Sequence, residues 1–372
     1  MLDPRSTDVL IRSLSDDPYR YPRALGCMNC PSLRFCGGLA VRDSIWDCTD
    51  LCCGEPDSCS SVCVKKPAVY IEQNREITGF DLSNIPRVLG NYRQGDYQVV
   101  PMIYHGTSRH RAASGSVFAL RLHDVVDFSQ AKLRYSTREA LTAAFKIDVS
   151  AKIVLSGVDH DERIEPWWTL QDRRTSILDD LRELGIDLVT APNFSLLLDK
   201  PRTDDLHAIK RIAIVWREFE QSGIACALHV NSRTLHDFER WSRFIQERDE
   251  IGIISYEFIT GAGKRARRQF HIDGLSRIAQ QSGRPLDIVV RGDPDVVTQL
   301  RQSFRRVVYI DTMAYMKTIK RRRASRSGNA KLGWHPVKTA TPAELDDLLD
   351  HNLSEQTLFL RDRFYDQAKA SI

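Results

Sequence analysis

No stretch of this sequence approaches the roughly 20 consecutive apolar residues that a membrane-crossing helix requires, so its hydrophobic residues are expected to form a packed interior rather than a membrane span. The opening segment MLDPRSTDVLIRSLSDD lacks the apolar core of a secretory signal, and the expected compartment is the reducing cytoplasm. Charge of one sign does not dominate: 53 Lys and Arg against 49 Asp and Glu leave a net charge of +4, which excludes binding of a polyanion through overall charge. Two absences are local. Acidic residues are missing between Asp311 and Glu344, and cysteine is nearly missing outside residues 27 to 63.

Eight of the nine cysteines, Cys27, Cys30, Cys36, Cys48, Cys52, Cys53, Cys59 and Cys63, crowd into that segment. Thiols packed so densely in a reducing compartment point to a metal site, and Gly37, Gly38, Gly54 and Pro56 permit the turns that wrap backbone around it. The spacing C-x2-C-x5-C-G-G, Cys27 to Gly38, resembles the central part of the auxiliary iron-sulfur domains attached to some radical enzymes, which implies a cluster. Zinc is the alternative, because four-cysteine sites staple small modules, although only Cys27 and Cys30 form the usual knuckle. The C-x3-C-x2-C signature of the radical enzymes is absent, and radical chemistry is not inferred. Residues 1–70 are therefore read as a cysteine-rich metal-binding module.

With 372 residues and 42% hydrophobic content, the rest of the chain is long enough for one large domain with appendages. From about residue 97, short β-branched runs alternate with amphipathic stretches: QVVPMIY, SVFALRL, KIVLSGV, DLVTAP, CALHVN, GIISYEF, LDIVV and RVVYID. Helical spacing is plain in Leu206, Ile209, Ile212, Ala213, Trp216 and Phe219, with Gly223 placed to end that helix. Eight strands with intervening helices predict an α/β fold, a (β/α)8 TIM-like barrel over residues 71–326. Only about ten residues, His105 to Gly115, join the first two strands. That is too short for a helical crossover, so a hairpin and an irregular barrel are expected there. Residues 327–372 are expected to form a helical extension with one helix opening at Pro342 and another around Leu358, Leu360 and Phe364.

In such a barrel the C-terminal strand ends share one mouth. Asp311, Glu257 and Asp159 are the candidate catalytic carboxylates, because each lies in or just after an apolar strand where an unpaired carboxylate is costly. His105, Asn193, His229, Asn231 and Arg291 are candidate substrate-binding residues at the other strand ends. Ser195, Asp293 and Thr234 read equally well as helix N-caps, and His229 as a core histidine. Basic residues form two runs: Lys264, Arg265, Arg267 and Arg268, and a helix-like segment with Lys320, Arg321, Arg322 and Arg323. Both are expected on the mouth rim, with Tyr315 and Trp334 available for stacking, as a surface for RNA or DNA.

Two stretches carry resemblances. APNFSLLLDKPRTDDLHAIKRIAIVWREFEQSGIACALHVN, residues 191–231, looks like the core of an uncharacterised bacterial and phage domain family that implies no chemistry. GDPDVVTQLRQSFRRVVYIDTMAYMKTIKRRRASRSG is similar to the final barrel unit of tRNA-guanine transglycosylases and related deazapurine DNA-modification proteins. That resemblance implies a nucleic-acid base-modifying enzyme with Asp311 as nucleophile, a second carboxylate managing protons and Arg321 to Arg326 holding phosphates. The family's Asp-Ser-Gly-Gly-Phe is absent, and the cysteines precede the barrel instead of following it. The alternative is a non-catalytic nucleic-acid-binding component of a mobile-element or defence system, with room for a protein partner. A third reading comes from MIYHGTS, which resembles the His-Gly-Thr element of NAD-using ADP-ribosyltransferases through His105.

Overall fold

The computed structural model describes residues 67–366 apart from 197–201, 260, 264 and 328–330. The expected metal site at the eight N-terminal cysteines and the expected rim residue Lys264 lie outside the described residues. The strands are β1 (Val99–Pro101), β2 (Val117–Arg121), a short ribbon of β3 (Val126–Asp127) and β4 (Lys132–Leu133), β5 (Lys152–Ser156), β6 (Leu188–Thr190), β7 (Cys226–His229), β8 (Ile253–Phe258), β9 (Asp287–Gly292) and β10 (Arg306–Asp311). Eight of them form a parallel sheet in the order β1-β10-β9-β8-β7-β6-β5-β2. Its ends meet at a single parallel bridge, Met102 to Ala119, where the Ile103 amide donates to the Ala119 carbonyl at 2.9 Å. The sheet is thus nearly closed into the expected α/β barrel.

These runs form strands because both faces of a parallel sheet are buried. Val100, Val117, Ala119, Val154, Val289 and Val308 pack inside the barrel, while Phe118, Leu120, Ile153, Ile288 and Val307 lie under the helices. The outer layer includes α1 (Pro67–Glu76), α2 (Leu122–Val125), α3 (Arg138–Phe145), α4 (Asp161–Thr169), α5 (Arg174–Glu183), α6 (Arg202–Gln221), α7 (Leu235–Gln246), α8 (Arg265–Gln281), α9 (Val296–Leu300), α10 (Met313–Ile319) and α11 (Pro342–Phe364). Thr234 opens α7 with a capping box: its hydroxyl accepts the Asp237 amide at 3.2 Å, and the Asp237 carboxylate accepts the Thr234 amide at 2.9 Å. Gly223 ends α6 in the left-handed region, φ +81°, which glycine enters without steric cost. The N-terminal end of the barrel is sealed by Tyr97, which joins the inner cluster, and by Tyr92, whose hydroxyl donates to buried Asp287 at 2.5 Å.

Three expectations are corrected. The β1–β2 connection is not a hairpin, since the two strands are parallel where they touch, and it carries no helix. Instead α11 ties that loop down. The Asp346 carboxylate accepts the amides of His110 and Arg111 at 2.8 and 2.9 Å, and Asp350 accepts that of Ser114 at 2.8 Å.

The basic segment is not one helix either. Helix α10 stops at Ile319, Arg321 turns the chain at φ +53°, and β11 (Arg322–Ser327) pairs antiparallel with β12 (Lys331–Pro336). Fully buried Asn352 satisfies this ribbon's edge. It accepts from the Ala324 amide and donates to the Arg322 carbonyl, both at 2.8 Å. The C-terminal helices are a single helix capped by Thr341, and the extension begins with a strand. Asn352 sits among the apolar residues that α11 buries and continues their stripe instead of breaking it.

Candidate functional site at the barrel mouth

Strand register decides which polar residues enter the mouth. Arg121, Ser156, Thr190 and Ala227 are successive cross-strand partners, and Ala227 belongs to the inner cluster, so all four face inward. Val289, also inner, pairs with Ser255, and Ser255 with His229. Two residues on, Glu257 pairs with Arg291 and shares that face. The mouth therefore gathers Arg121, Glu257 and Arg291 on strands, with Tyr104, Asp159 and Asn193 just beyond strand ends, while His229 lies deeper, at the level of Ser255.

Asn193 links the Glu257 carboxyl to the backbone of Asp159. Its Oδ1 accepts the Asp159 amide at 3.2 Å and its Nδ2 donates to Glu257 Oε2 at 3.0 Å. Gly157 permits this approach, because a Cβ there would sit 2.4 Å from the Thr190 carbonyl oxygen. Burial pushes the Glu257 carboxyl above the ordinary glutamate range. Arg291 and the Asn193 bond counteract, and the negative Asp159 adds to the rise. Glu257 is thus the group suited to carry a proton. Arg291 is anchored beside it, donating to the Val158 carbonyl at 2.5 Å.

Asp159 is held unequally. Oδ1 accepts the His160 amide at 2.8 Å, whereas Oδ2 has Arg121 Nη1 at 3.8 Å and His123 Nδ1 at 3.6 Å, both beyond hydrogen-bond distance. Arg121 is bidentate to Asp124, at 2.5 and 3.0 Å, and lies 4.7 Å over the Tyr104 ring. His123, on α2, has its imidazole pKa lowered chiefly by burial and by Arg121 and Arg163, against the opposing pull of Asp124 and Asp159. His123 and Asp124 lie just past the end of β2 in the chain. Arg121 gave no signal beyond strand alternation, because it sits inside an apolar run as one more inward position.

The other expected residues fall in different places. His229 is fully buried inside the barrel, 3.3 Å from the Ser255 hydroxyl, with its pKa driven down by burial to about 3. It is a neutral core histidine. Asn231 donates to the Phe194 carbonyl at 2.9 Å, and exposed His105 stands edge-on to Tyr315 at 5.5 Å. Asp311 is apart from the carboxylate pair. Its partner is Pro101, whose neighbours Val100 and Met102 face inward, so Asp311 faces the helix layer. There Oδ1 accepts the Met313 amide at 3.1 Å and Gln356 Nε2 at 3.0 Å, and Oδ2 accepts the Ala314 amide at 3.1 Å. It is 2% exposed, and burial raises its pKa against these three bonds. Asp311 serves as a tie between β10, α10 and α11.

The basic residues divide as well. Arg267 is buried with its guanidinium 5.4 Å from the Phe270 ring centroid, and Arg268 pairs with Asp293 at 2.9 Å. Arg265 is exposed, as are Lys320, Arg322 and Arg323, while Arg321 is half-buried and donates to the Ile319 carbonyl at 3.0 Å. The ribbon lies on the mouth side. Tyr365, past the end of α11, reaches the carbonyls of Gln98 and Val307 at strand starts, Gln356 reaches the end of β10, and the preceding turn of α11 holds β11. Lys317 lies 5.7 Å over half-buried Trp334 of this ribbon, beside exposed Met313 and Met316.

Among the described residues no group of three or more His, Cys, Asp or Glu is placed to hold a metal, and no helix is long and apolar enough to cross a membrane. No protein-family model matches the chain, and no curated protein matches it.

Proposed function

We propose that the barrel mouth exchanges a base at the anomeric carbon of a nucleotide within a nucleic acid, with Asp159 as nucleophile and Glu257 as proton carrier. The observation that carries this reading is the Asn193 bridge, which links Glu257, whose pKa burial raises, to the backbone of Asp159, whose Oδ2 has no partner within hydrogen-bond distance. Asp159 Oδ2 attacks C1′ while the C1′–N bond breaks, and Glu257 delivers its proton to the departing base. The incoming base then returns a proton to Glu257 as its nitrogen displaces Asp159 from C1′. Exposed Lys320 and the exposed ribbon residues Arg322 and Arg323 hold flanking phosphates, and Trp334 offers a stacking face. In the same reading the N-terminal cysteines hold iron-sulfur or zinc as a structural staple.

The placement of Asp311 as a structural tie favours a second reading, a nucleic-acid-binding component without chemistry at that position. Incubation of the full chain with RNA or DNA and radiolabelled guanine separates the two. Label entering polymer with the native chain, lost in Glu257→Gln while binding persists, supports exchange. Binding without incorporation in the native chain sinks it.

A further inference from the structure

Asp159 Oδ2 is flanked by two donors that do not reach it, and one of them has had its proton placed by a neighbour. Arg163, in the first turn of α4, directs Nη1 at His123 Nε2 across 3.1 Å. A guanidinium has hydrogens to give and no lone pair to offer, so Nε2 must be the acceptor. A neutral imidazole whose Nε2 accepts carries its hydrogen on Nδ1. That Nδ1 is buried, has no hydrogen-bond partner, and faces Asp159 Oδ2 at 3.6 Å. A buried donor without an acceptor in reach costs free energy, and its nearest acceptor, Asp159 Oδ2, carries charge except while it is bonded to C1′.

We propose that His123 is a further catalytic residue of this mouth, donating a hydrogen bond from Nδ1 to Asp159 Oδ2 as that oxygen regains its charge. The proposal rests on the base-exchange reading. When the C1′–Oδ2 bond breaks, its electron pair returns to Oδ2, and a small approach of the ring converts the 3.6 Å separation into a hydrogen bond. No proton is transferred, and the imidazole stays neutral throughout. Arg121 Nη1, at 3.8 Å from the same oxygen, adds positive charge from the other side. Arg163 acts one step removed, by holding the ring in the tautomer that has a donor to give. The groups facing His123 are Arg121 and Asp124 beside it in the chain, Asp159 after β5, and Arg163 on α4. Asp124 Oδ1, 3.4 Å from Nε2, pulls a proton toward that nitrogen, and burial together with the Arg163 donor at 3.1 Å opposes it.

The test has two readouts on the full chain. Nitrogen-15 spectra of histidine-labelled protein report the tautomer without any substrate: Nδ1 is expected to carry the hydrogen and Nε2 to give the signal of an acceptor nitrogen. Arg163→Met should abolish that preference, and a native ring with its hydrogen on Nε2 overturns the proposal. The second readout is the lifetime of the covalent adduct formed with an oligonucleotide, followed by mass spectrometry after addition of free guanine. His123→Phe is expected to slow adduct breakdown about 100-fold, the usual effect of losing one donor to a developing oxyanion. His123→Asn, whose amide nitrogen takes the place of Nδ1, is expected to restore much of the rate and guards against a folding defect in the Phe variant. Breakdown at the native rate in a folded His123→Phe refutes the role of His123. No adduct with the native chain refutes the base-exchange reading itself, and the proposal with it.

Discussion

Replacing Asp311 distinguishes a structural tie from a reacting group, and the structure sets the size of the effect. In Asp311→Ala the amides of Met313 and Ala314 and the side-chain amide of Gln356 lose their acceptor inside the protein. At about 1 kcal/mol net for each bond, the loss is about 3 kcal/mol. Part of it is offset because the variant no longer buries a carboxylate whose pKa is raised by desolvation, leaving an expected destabilisation of about 2 kcal/mol at neutral pH. Asp311→Asn keeps one acceptor oxygen and should cost less, about 1 kcal/mol.

The pH dependence has a definite sign. The folded pKa of Asp311 lies above the unfolded one, so between the two values the folded state binds more protons. Stability from this group is therefore fully present below the unfolded value and is lost as pH rises through the folded value. The asparagine variant lacks that contribution, and its deficit relative to the native chain should be largest in acid and shrink toward neutral pH. Urea unfolding of both proteins from roughly pH 4 to pH 8 measures it as a difference, which removes the parallel contributions of Glu220 and Glu257. A folded Asp311→Ala within about 0.5 kcal/mol of native stability refutes the tie. If that folded variant also loses base exchange, the nucleophile is Asp311 and not Asp159.

Replacing Arg321, Arg322 and Arg323 with Ala should weaken RNA or DNA binding and lower the log-log salt slope by about 0.7 to 0.9 for each phosphate that is no longer neutralised. Arg322 and Arg323, the exposed pair, are expected to account for most of the change, while half-buried Arg321 contributes little. An unaltered slope makes the ribbon an ordinary solvated surface. Cys30→Ser should lower the iron or zinc content of anaerobically purified protein, read by elemental analysis and visible absorbance. Native metal content in that variant removes Cys30 from the ligand set.

Periodicity alone marked the eight strands in their barrel order, because each strand buries both faces and reads as an apolar run closed by a polar residue. Thr234 and Gly223 were legible for the same local reason, since a cap or a left-handed turn depends on residues within one helical turn. Asp159, Glu257, Asn193 and Arg291 were marked individually, and the bond network joining them was not. Which strand-end side chains enter the mouth was decided by register. A shift of one position sends a side chain to the opposite face, so Asp311 and Glu257 look alike in sequence yet lie in different layers. The cover over the β1–β2 loop, the folding of the basic run into a ribbon and the single C-terminal helix rest on Asp346, Asn352 and Gln356. Those residues meet partners about 30 to 240 positions earlier in the chain, and such distant pairs leave no local pattern.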